Sequence, residues 1–178
     1  RSHAAEMTMT AFVSFLVFCQ VLGALTGACT AVWGELAYIR AMRDGAIDAA
    51  ERAHLNVIAK GLRFGMLTIL LSSFGLVVTA YLLRTDPQPA LSPEYWTVII
   101  LALLVTGISW ALSRKRISFA FGSAIIFTGW WFLAYLTLGW MPPLSFGGAV
   151  AFYVVATGIF YAVLQYARFL LLDSGQTQ

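Results

Sequence analysis

The stretch Leu62–Leu83, LRFGMLTILLSSFGLVVTAYLL, decides what kind of protein this chain is. After Arg63 it contains no charged residue, and its length is close to the roughly 20 apolar residues that cross a bilayer as a helix. Its apolar residues do not alternate with polar ones, as they would in a membrane-spanning β-strand. The stretch therefore predicts a transmembrane α-helix.

The whole chain has the composition of a membrane protein. Of its 178 residues, 60% are hydrophobic and 11% are charged, and its mean hydropathy is +0.81. A soluble domain carries about 25% charged residues. The predicted spans are 11–33, 62–83, 95–112, 117–138 and 144–170. We therefore predict an all-α integral membrane bundle of about five transmembrane helices, with residues 1–178 forming one domain.

Lysine and arginine are distributed unequally between the two ends of these spans. If the N-terminus lies outside, nine of the eleven basic residues fall on the inner side, and only Arg1 and Arg84 on the outer side. Positive residues concentrate in cytoplasmic loops. The N-terminus is therefore predicted outside and the C-terminus in the cytoplasm of a multi-pass protein of the bacterial inner membrane. In this orientation the proline-containing segment 84–94, predicted as an extended loop, lies outside.

Residues 36–61 connect the first two spans and are charged and helix-favouring. They predict a cytoplasmic helical hairpin tip, in which the first two helices extend beyond the membrane. Asp48 and Glu51 have the spacing of a capping box at the start of the second helix. Asp44 and His54 add residue types that bind metals, but turn and capping roles account for the carboxylates, so no metal site is predicted.

Small residues recur at helical spacing on one face of each of the first two spans. Such faces let helices approach closely in lipid. The preferred interpretation is that the two faces contact each other, and the alternative is a homodimer interface or a narrow pore lining. The residues concerned are Gly23 and Gly27 in the first span and Gly61, Gly65, Ser72 and Gly75 in the second.

Two polar residues of the first helix are candidates for a polar pathway, because polar groups are costly in a membrane and are often functional. Gln20 shares a face with Gly23 and is interpreted either as an interhelical hydrogen-bonding group or as part of such a pathway. Glu35 lies just beyond the span, where it is expected to pair with Arg63 or Lys60. The alternative role for Glu35 is to handle a proton or cation.

Aromatic residues with polar tips cluster in the last two spans. They are Trp130, Trp131 and Tyr135 in the fourth and Tyr153 in the fifth. They predict either a pocket for a small apolar ligand or ordinary core packing.

Enzyme chemistry is difficult to build from these residues. The predicted membrane interior contains no histidine, aspartate or lysine, and a bis-histidine haem needs two axial histidines. No catalytic residue is proposed, and the cofactor, if any, is unknown. The charge pattern offers no nucleic-acid module. The expected partners are the lipid bilayer and either a second copy of the chain or another membrane subunit.

Three stretches resemble a family of small bacterial multi-pass membrane proteins of uncharacterised function. They are Leu22–Ala24 with Gly27, Arg43–Asp48 with Glu51, and Gly122–Ala124 followed by Gly129–Trp131. The resemblance implies the fold and topology of the whole chain. The family is similar to cytochrome b561 and copper-resistance membrane proteins in carrying histidine in its first helix and near the start of its second. This chain has His54 at the second position, but Gln20 and no histidine in the first helix, so the resemblance implies no activity.

Three hypotheses on function follow from these residues. The first is a small channel, transporter or transporter-like ligand-binding protein with a polar route through Gln20 and Glu35. The second is a non-catalytic membrane subunit that docks a partner through its cytoplasmic hairpin. The third is a haem or quinone redox protein, which needs histidines that this chain mostly lacks.

Overall fold

The fold is described by a computed structural model over residues 2–44, 49–84, 88–142 and 144–173, with side chains described at 7–40, 57–84, 88–142 and 144–170. These residues form helices and no strand. The helices are α1 (Ser2–Asp44), α2 (Ala49–Leu83), α3 (Pro93–Ser113), α4 (Phe119–Thr137) and α5 (Phe146–Asp173). Each contains a segment long and apolar enough to cross a membrane. The prediction of an all-helical chain with five candidate membrane spans is confirmed.

The first two helices are longer than their predicted spans. α1 has 43 residues and α2 has 35, and α2 begins at Ala49, as the capping pattern predicted. Asp48 itself, and the side chains of Asp44, Glu51 and His54, lie outside what the structure describes. The capping and metal-site interpretations of these residues therefore stay predictions.

Residues 88–94, the described residues leading into α3, differ from the extended loop expected over 84–94. Pro89–Leu91 form a short 3-10 helix, and Pro93 is the first residue of α3. Ser92 caps α3, because its Oγ accepts a hydrogen bond from the Tyr95 amide at 3.2 Å. Proline fits the first helical position, where its missing N–H has no intrahelical partner. Pro89 and Pro93 therefore each begin a helix.

Two helices end in the same hydrogen-bonded motif. At the end of α4, Gly139 has a φ of 69° and the Trp140 amide donates to the Tyr135 carbonyl at 3.1 Å. At the end of α3, Lys115 has a φ of 56° and the Arg116 amide donates to the carbonyl of Ala111 at 3.0 Å. This is the Schellman pattern, in which the left-handed position is usually glycine. Lys115 occupies it despite the steric cost of its Cβ.

The core lies around α4. This helix packs against α1, α3 and α5, and α1 and α2 form the most extensive helix pair. More than half of α4's apolar span is buried, whereas almost all of α5's span is exposed. Apolar surface needs no burial where lipid surrounds the protein. α5 is therefore a peripheral helix, held mainly by α4.

The glycine faces of α1 and α2 lie against each other. A Cβ built on Gly23 would lie 2.9 Å from the Gly65 carbonyl oxygen, and one on Gly65 would lie 2.7 Å from that of Gly23. Gly61 faces Thr30 and Gly75 faces Leu16 in the same interface, each with 3.1 Å between the built Cβ and the neighbouring side chain. Only glycine allows the two backbones this close approach.

Candidate functional site

A buried ion pair connects α1 to α5 at one end of the bundle. Arg168 Nη2 lies 2.7 Å from Glu35 Oε2 and 2.7 Å from Ser123 Oγ of α4. Glu35 and Arg168 are each 8% exposed. α1 ends, α4 begins and α5 ends on this side of the bundle, which we call the Arg168 end. Three helices therefore contribute to one polar cluster, which we call the Glu35–Arg168–Ser123 cluster.

Two stacked aromatic rings lie beside the Arg168 guanidinium. Tyr38 and Phe119 stack with ring centroids 3.8 Å apart, and Arg168 Cζ lies 5.3 Å from the Tyr38 centroid and 5.5 Å from that of Phe119. These distances are within the range of cation–π attraction. Because the two rings stack on each other, the guanidinium lies beside the pair, and the rings cover it on that side.

The hydrogen bonds of Arg168 are incomplete. A guanidinium carries N–H donors on each of its nitrogens, but the bonds to Glu35 and Ser123 both come from Nη2. The Nε atom is buried and has no hydrogen-bond partner in the part of the chain that the structure describes. An unsatisfied buried donor is costly and calls for an explanation such as water, an ion or a ligand.

The expected partners of Glu35 were wrong. Lys60 and Arg63 are exposed on α2, whereas Glu35 pairs with Arg168 on α5. The reason is helical geometry, because successive residues differ by about 100° around the axis. Gly34 faces Ile58 of α2, with 3.4 Å between its built Cβ and the isoleucine Cγ2. The next residue, Glu35, therefore turns away from α2.

Gln20 forms an interhelical hydrogen bond. Its Nε2 donates to the Oγ of the fully buried Ser73 of α2 at 2.8 Å. Gln20 and Glu35 are about 22 Å apart along the axis of α1, at a rise of about 1.5 Å per residue. The structure does not bring them together, and the helix contacts at Gly23 and Gly27 lie between them.

Trp130 is the largest fully buried side chain among the described residues, at 1% exposure. Its six-membered ring fills the space that a Cβ of Gly27 would occupy, and its Cη2 lies 3.2 Å from the position of a Cβ on Gly65. α4 therefore inserts one side chain, the indole of Trp130, into the α1–α2 interface. The Trp130 Nε1 atom is buried without a hydrogen-bond partner in the described structure.

The other predicted pocket residues point elsewhere. Trp131 packs on Phe127 with a centroid distance of 6.4 Å, because consecutive residues of α4 face different directions. Tyr135 is exposed and contacts Trp140 edge to face. The Tyr153 hydroxyl donates to the Ile125 carbonyl at 2.9 Å. These side chains pack along α4 and are not brought to one cavity.

A shallow pocket lies at the opposite end of the bundle. Its volume is about 200 Å³. None of the four predicted pocket residues lines it. Its lining residues are Glu94, Thr97, Leu136, Gly139, Met141, Pro142, Leu144 and Ala149.

Sequence reasoning missed Arg168 and Ser123 as site residues. From the sequence, Arg168 is only one of the nine basic residues predicted on the inner side, and Ser123 lies only within the stretch Gly122–Ala124 that carries the family resemblance. The signal available was that Arg168 is the one basic residue of the fifth predicted span and that both Arg168 and Glu35 lie within two residues of the predicted inner end of their spans. A charge of each sign at one level of an apolar bundle favours pairing.

A comparison of the chain with protein-family models, with curated proteins and with solved structures found no match. Function is therefore inferred from the chemistry of these residues.

Proposed function

We propose that the protein is a small transporter-like, ligand-binding membrane protein whose solute site is the Glu35–Arg168–Ser123 cluster. The observation that carries this proposal is the unpartnered Nε of Arg168 within a buried ion pair. Ionisable residues inside a membrane bundle are costly and commonly mark substrate or ion pathways. A buried ion pair is weak evidence for a purely stabilising role, because desolvation offsets its attraction.

The arrangement of helices supports a site that opens. α5 carries Arg168 and is the least buried helix, whereas Glu35 lies on the tightly packed α1–α2 pair. Separating the two charges requires the displacement of one peripheral helix and the rings of Tyr38 and Phe119. The main core around Trp130 does not need to be disrupted.

The proposed route has a barrier in the conformation described here. Gln20 and Ser73 lie on one side of the Trp130 contact with Gly27, and Glu35 lies on the other. Movement of a solute from Glu35 towards Gln20 would require α4 to shift relative to α1 and α2. Under this proposal Trp130 closes the route between Glu35 and the hydrogen-bonded pair Gln20 and Ser73.

The proposed orientation places the N-terminus outside and the C-terminus in the cytoplasm of a bacterial inner membrane, with the Arg168 end on the cytoplasmic side. It rests on the asymmetry of lysine and arginine. In a Cys19→Ser/Cys29→Ser background, Leu91→Cys should react with a membrane-impermeant maleimide in intact cells, and Lys115→Cys only after lysis. Both positions are exposed. Equal labelling in intact cells would refute the orientation.

The solute site is tested by ligand-dependent stabilisation in lipid nanodiscs. A panel of small anionic, cationic and neutral solutes is screened for an increase in melting temperature and then for flux in proteoliposomes. Arg168→Gln should reduce the increase in melting temperature at least tenfold for the active solute, and Glu35→Gln should reduce its flux at least tenfold even where the solute still binds. Arg116→Gln and Glu94→Gln are the matched controls, because they change the same charges at exposed positions. Equal responses in site and control variants would refute the proposal.

A second candidate function is a non-catalytic membrane subunit with another chain, or a second copy of this one, bound along α5. The observation that favours it is an open small-residue face on this helix. Nothing lies within 4 Å of a Cβ built on Gly147 or Gly158, and Ala151 and Ala162 are exposed. Such faces mediate helix association in lipid. Stable co-purification of one partner, lost in Gly158→Ile, would support this function, and a chain that is purified from its membrane alone and as a monodisperse monomer would refute it.

A further inference from the structure

We infer that the solute is a small carboxylate and that each carboxylate binds together with one proton, which is taken up by Glu35. This inference rests on the proposed function and specifies the substrate class of the same site. The observation behind it is that the buried Arg168 guanidinium already binds one carboxylate, that of Glu35, while its Nε has no partner among the described residues. An unpaired charge is costly in these buried surroundings.

The donor geometry of Arg168 fits a carboxylate. One edge of a guanidinium presents Nε–H and an Nη2–H side by side, which matches the two oxygens of a carboxylate. Glu35 contacts Nη2 through a single oxygen and leaves Nε without an acceptor. A free carboxylate of unrestricted orientation can bond both nitrogens. It therefore makes one more hydrogen bond than the protein's own side chain does, and it displaces Glu35 from Nη2.

Charge balance then requires a proton. The cluster holds one positive and one negative charge, and an added anion leaves Glu35 without its cation. A carboxylate buried to this extent is far more stable neutral than charged when it has no partner. Glu35 therefore takes a proton from water as the solute binds, and the occupied site has the same net charge as the empty one.

The groups around Glu35 leave Arg168 as its counter-ion. Tyr38 lies one turn further along α1, and α4 contributes Ser123 and Phe119 beside Arg168. On α2, Lys60 and Arg63 are exposed and make no described ion pair with Glu35. The basic residues Arg114 and Arg116 lie over Trp110, with Cζ 4.6 and 5.4 Å from its ring centroid.

The experiment is calorimetric titration of the protein in phosphatidylcholine nanodiscs with sodium acetate, and with sodium chloride as the control salt. Titrations in two buffers of different ionisation enthalpy at pH 7 give the number of protons bound per acetate. We expect about one proton per acetate, and an affinity that falls about tenfold for each unit rise in pH, because one proton binds with each anion. Acetate stays ionised over pH 6.5–7.5, so this dependence belongs to the protein.

Two variants separate the two parts of the inference. Glu35→Gln should bind acetate at least as tightly as the wild type, with no proton uptake and no pH dependence. Arg168→Lys keeps the charge but lacks the forked donors, so it should weaken binding at least tenfold. Arg168→Lys also replaces Arg168→Gln as the test variant where Arg168→Gln fails to fold. Circular dichroism detects that failure as a loss of helicity. Arg116→Lys is the matched control and should bind acetate as the wild type does.

Each outcome has a separate meaning. Acetate binding without proton uptake, or proton uptake that persists in Glu35→Gln, overturns this inference. So does a protein that ignores acetate but binds a neutral or cationic solute in an Arg168-dependent manner, although the proposed function then stands. If no solute of the panel binds, both fail, and a buried water is the partner of Nε.

Discussion

The substitution Gly27→Ala tests the contact that fixes α4 against the α1–α2 pair. The added methyl group would overlap the six-membered ring of Trp130, which is a rigid side chain at 1% exposure. Overpacking of this kind typically costs about 1–3 kcal/mol. Alanine in place of a helical glycine regains about 0.5–1 kcal/mol. Because the indole has little room to move, we take the upper end of the cost and expect a net loss of about 2 kcal/mol.

Gly158→Ala is the matched control, since nothing lies within 4 Å of a Cβ at that position. It should be neutral or stabilising by up to about 1 kcal/mol. The free energy of unfolding is measured by titration from dodecyl maltoside into SDS micelles, followed by near-ultraviolet circular dichroism. A difference of about 2 kcal/mol corresponds to roughly a 30-fold change in the unfolding equilibrium.

The explanation is tested further by a double-mutant cycle with Trp130→Leu. The smaller side chain leaves room for the methyl group, so Gly27→Ala should cost less than about 0.5 kcal/mol in this background. The coupling energy between the two positions should then be about 1.5–2 kcal/mol, which is within the range found for residues in contact. If Gly27→Ala is no worse than Gly158→Ala, or costs as much without Trp130 as with it, the packing argument is refuted.

Three further predictions use the same unfolding titration. Glu35→Ala should lower the free energy of unfolding by about 3–5 kcal/mol because it leaves Arg168 buried without a counter-ion. Adding Arg168→Leu should recover part of that loss. A double variant as unstable as the sum of the two single variants would contradict this. Ser73→Ala should cost only about 0.6 kcal/mol, the typical value of a hydrogen bond between membrane helices, here the one from Gln20; a loss above 2 kcal/mol would show a larger role. Lys115→Gly should stabilise by about 1 kcal/mol, since it removes the steric cost of a left-handed residue, and a destabilisation would refute the assignment of that helix end.

The helices could be predicted from the sequence because each depends on a local property. A run of about 20 apolar residues marks a span wherever its neighbours lie. The start of α2 at Ala49 and the positive φ of Gly139 also follow from residues next to them. Lys115 shows the limit, because lysine gives no signal of a left-handed conformation and the tight link to α4 imposes it.

The candidate site could be predicted only in part. Glu35 was recognisable as a costly charge, but its partner depends on which face of α1 meets α5, and that is decided by the packing of α4 between them. The separation of Trp130 from Trp131 arises in the same way, from the rotation of one helix. Hydropathy gives the depth of a residue in the membrane, and it does not give its direction around the helix axis.

The unequal lengths of α1 and α4 have a consequence for the lipid surroundings. The segment Met7–Arg40 of α1 is about 51 Å long, whereas α4 is about 28 Å long. Of these two helices, α4 is the one that matches a hydrocarbon layer of about 30 Å. Since Ser123 lies about one turn inside the start of α4, the cluster at Arg168 is located close to the boundary with the headgroups. A bilayer thinned by a few ångströms brings this charge pair into contact with interfacial water, so acyl-chain length should modulate how strongly α5 is held.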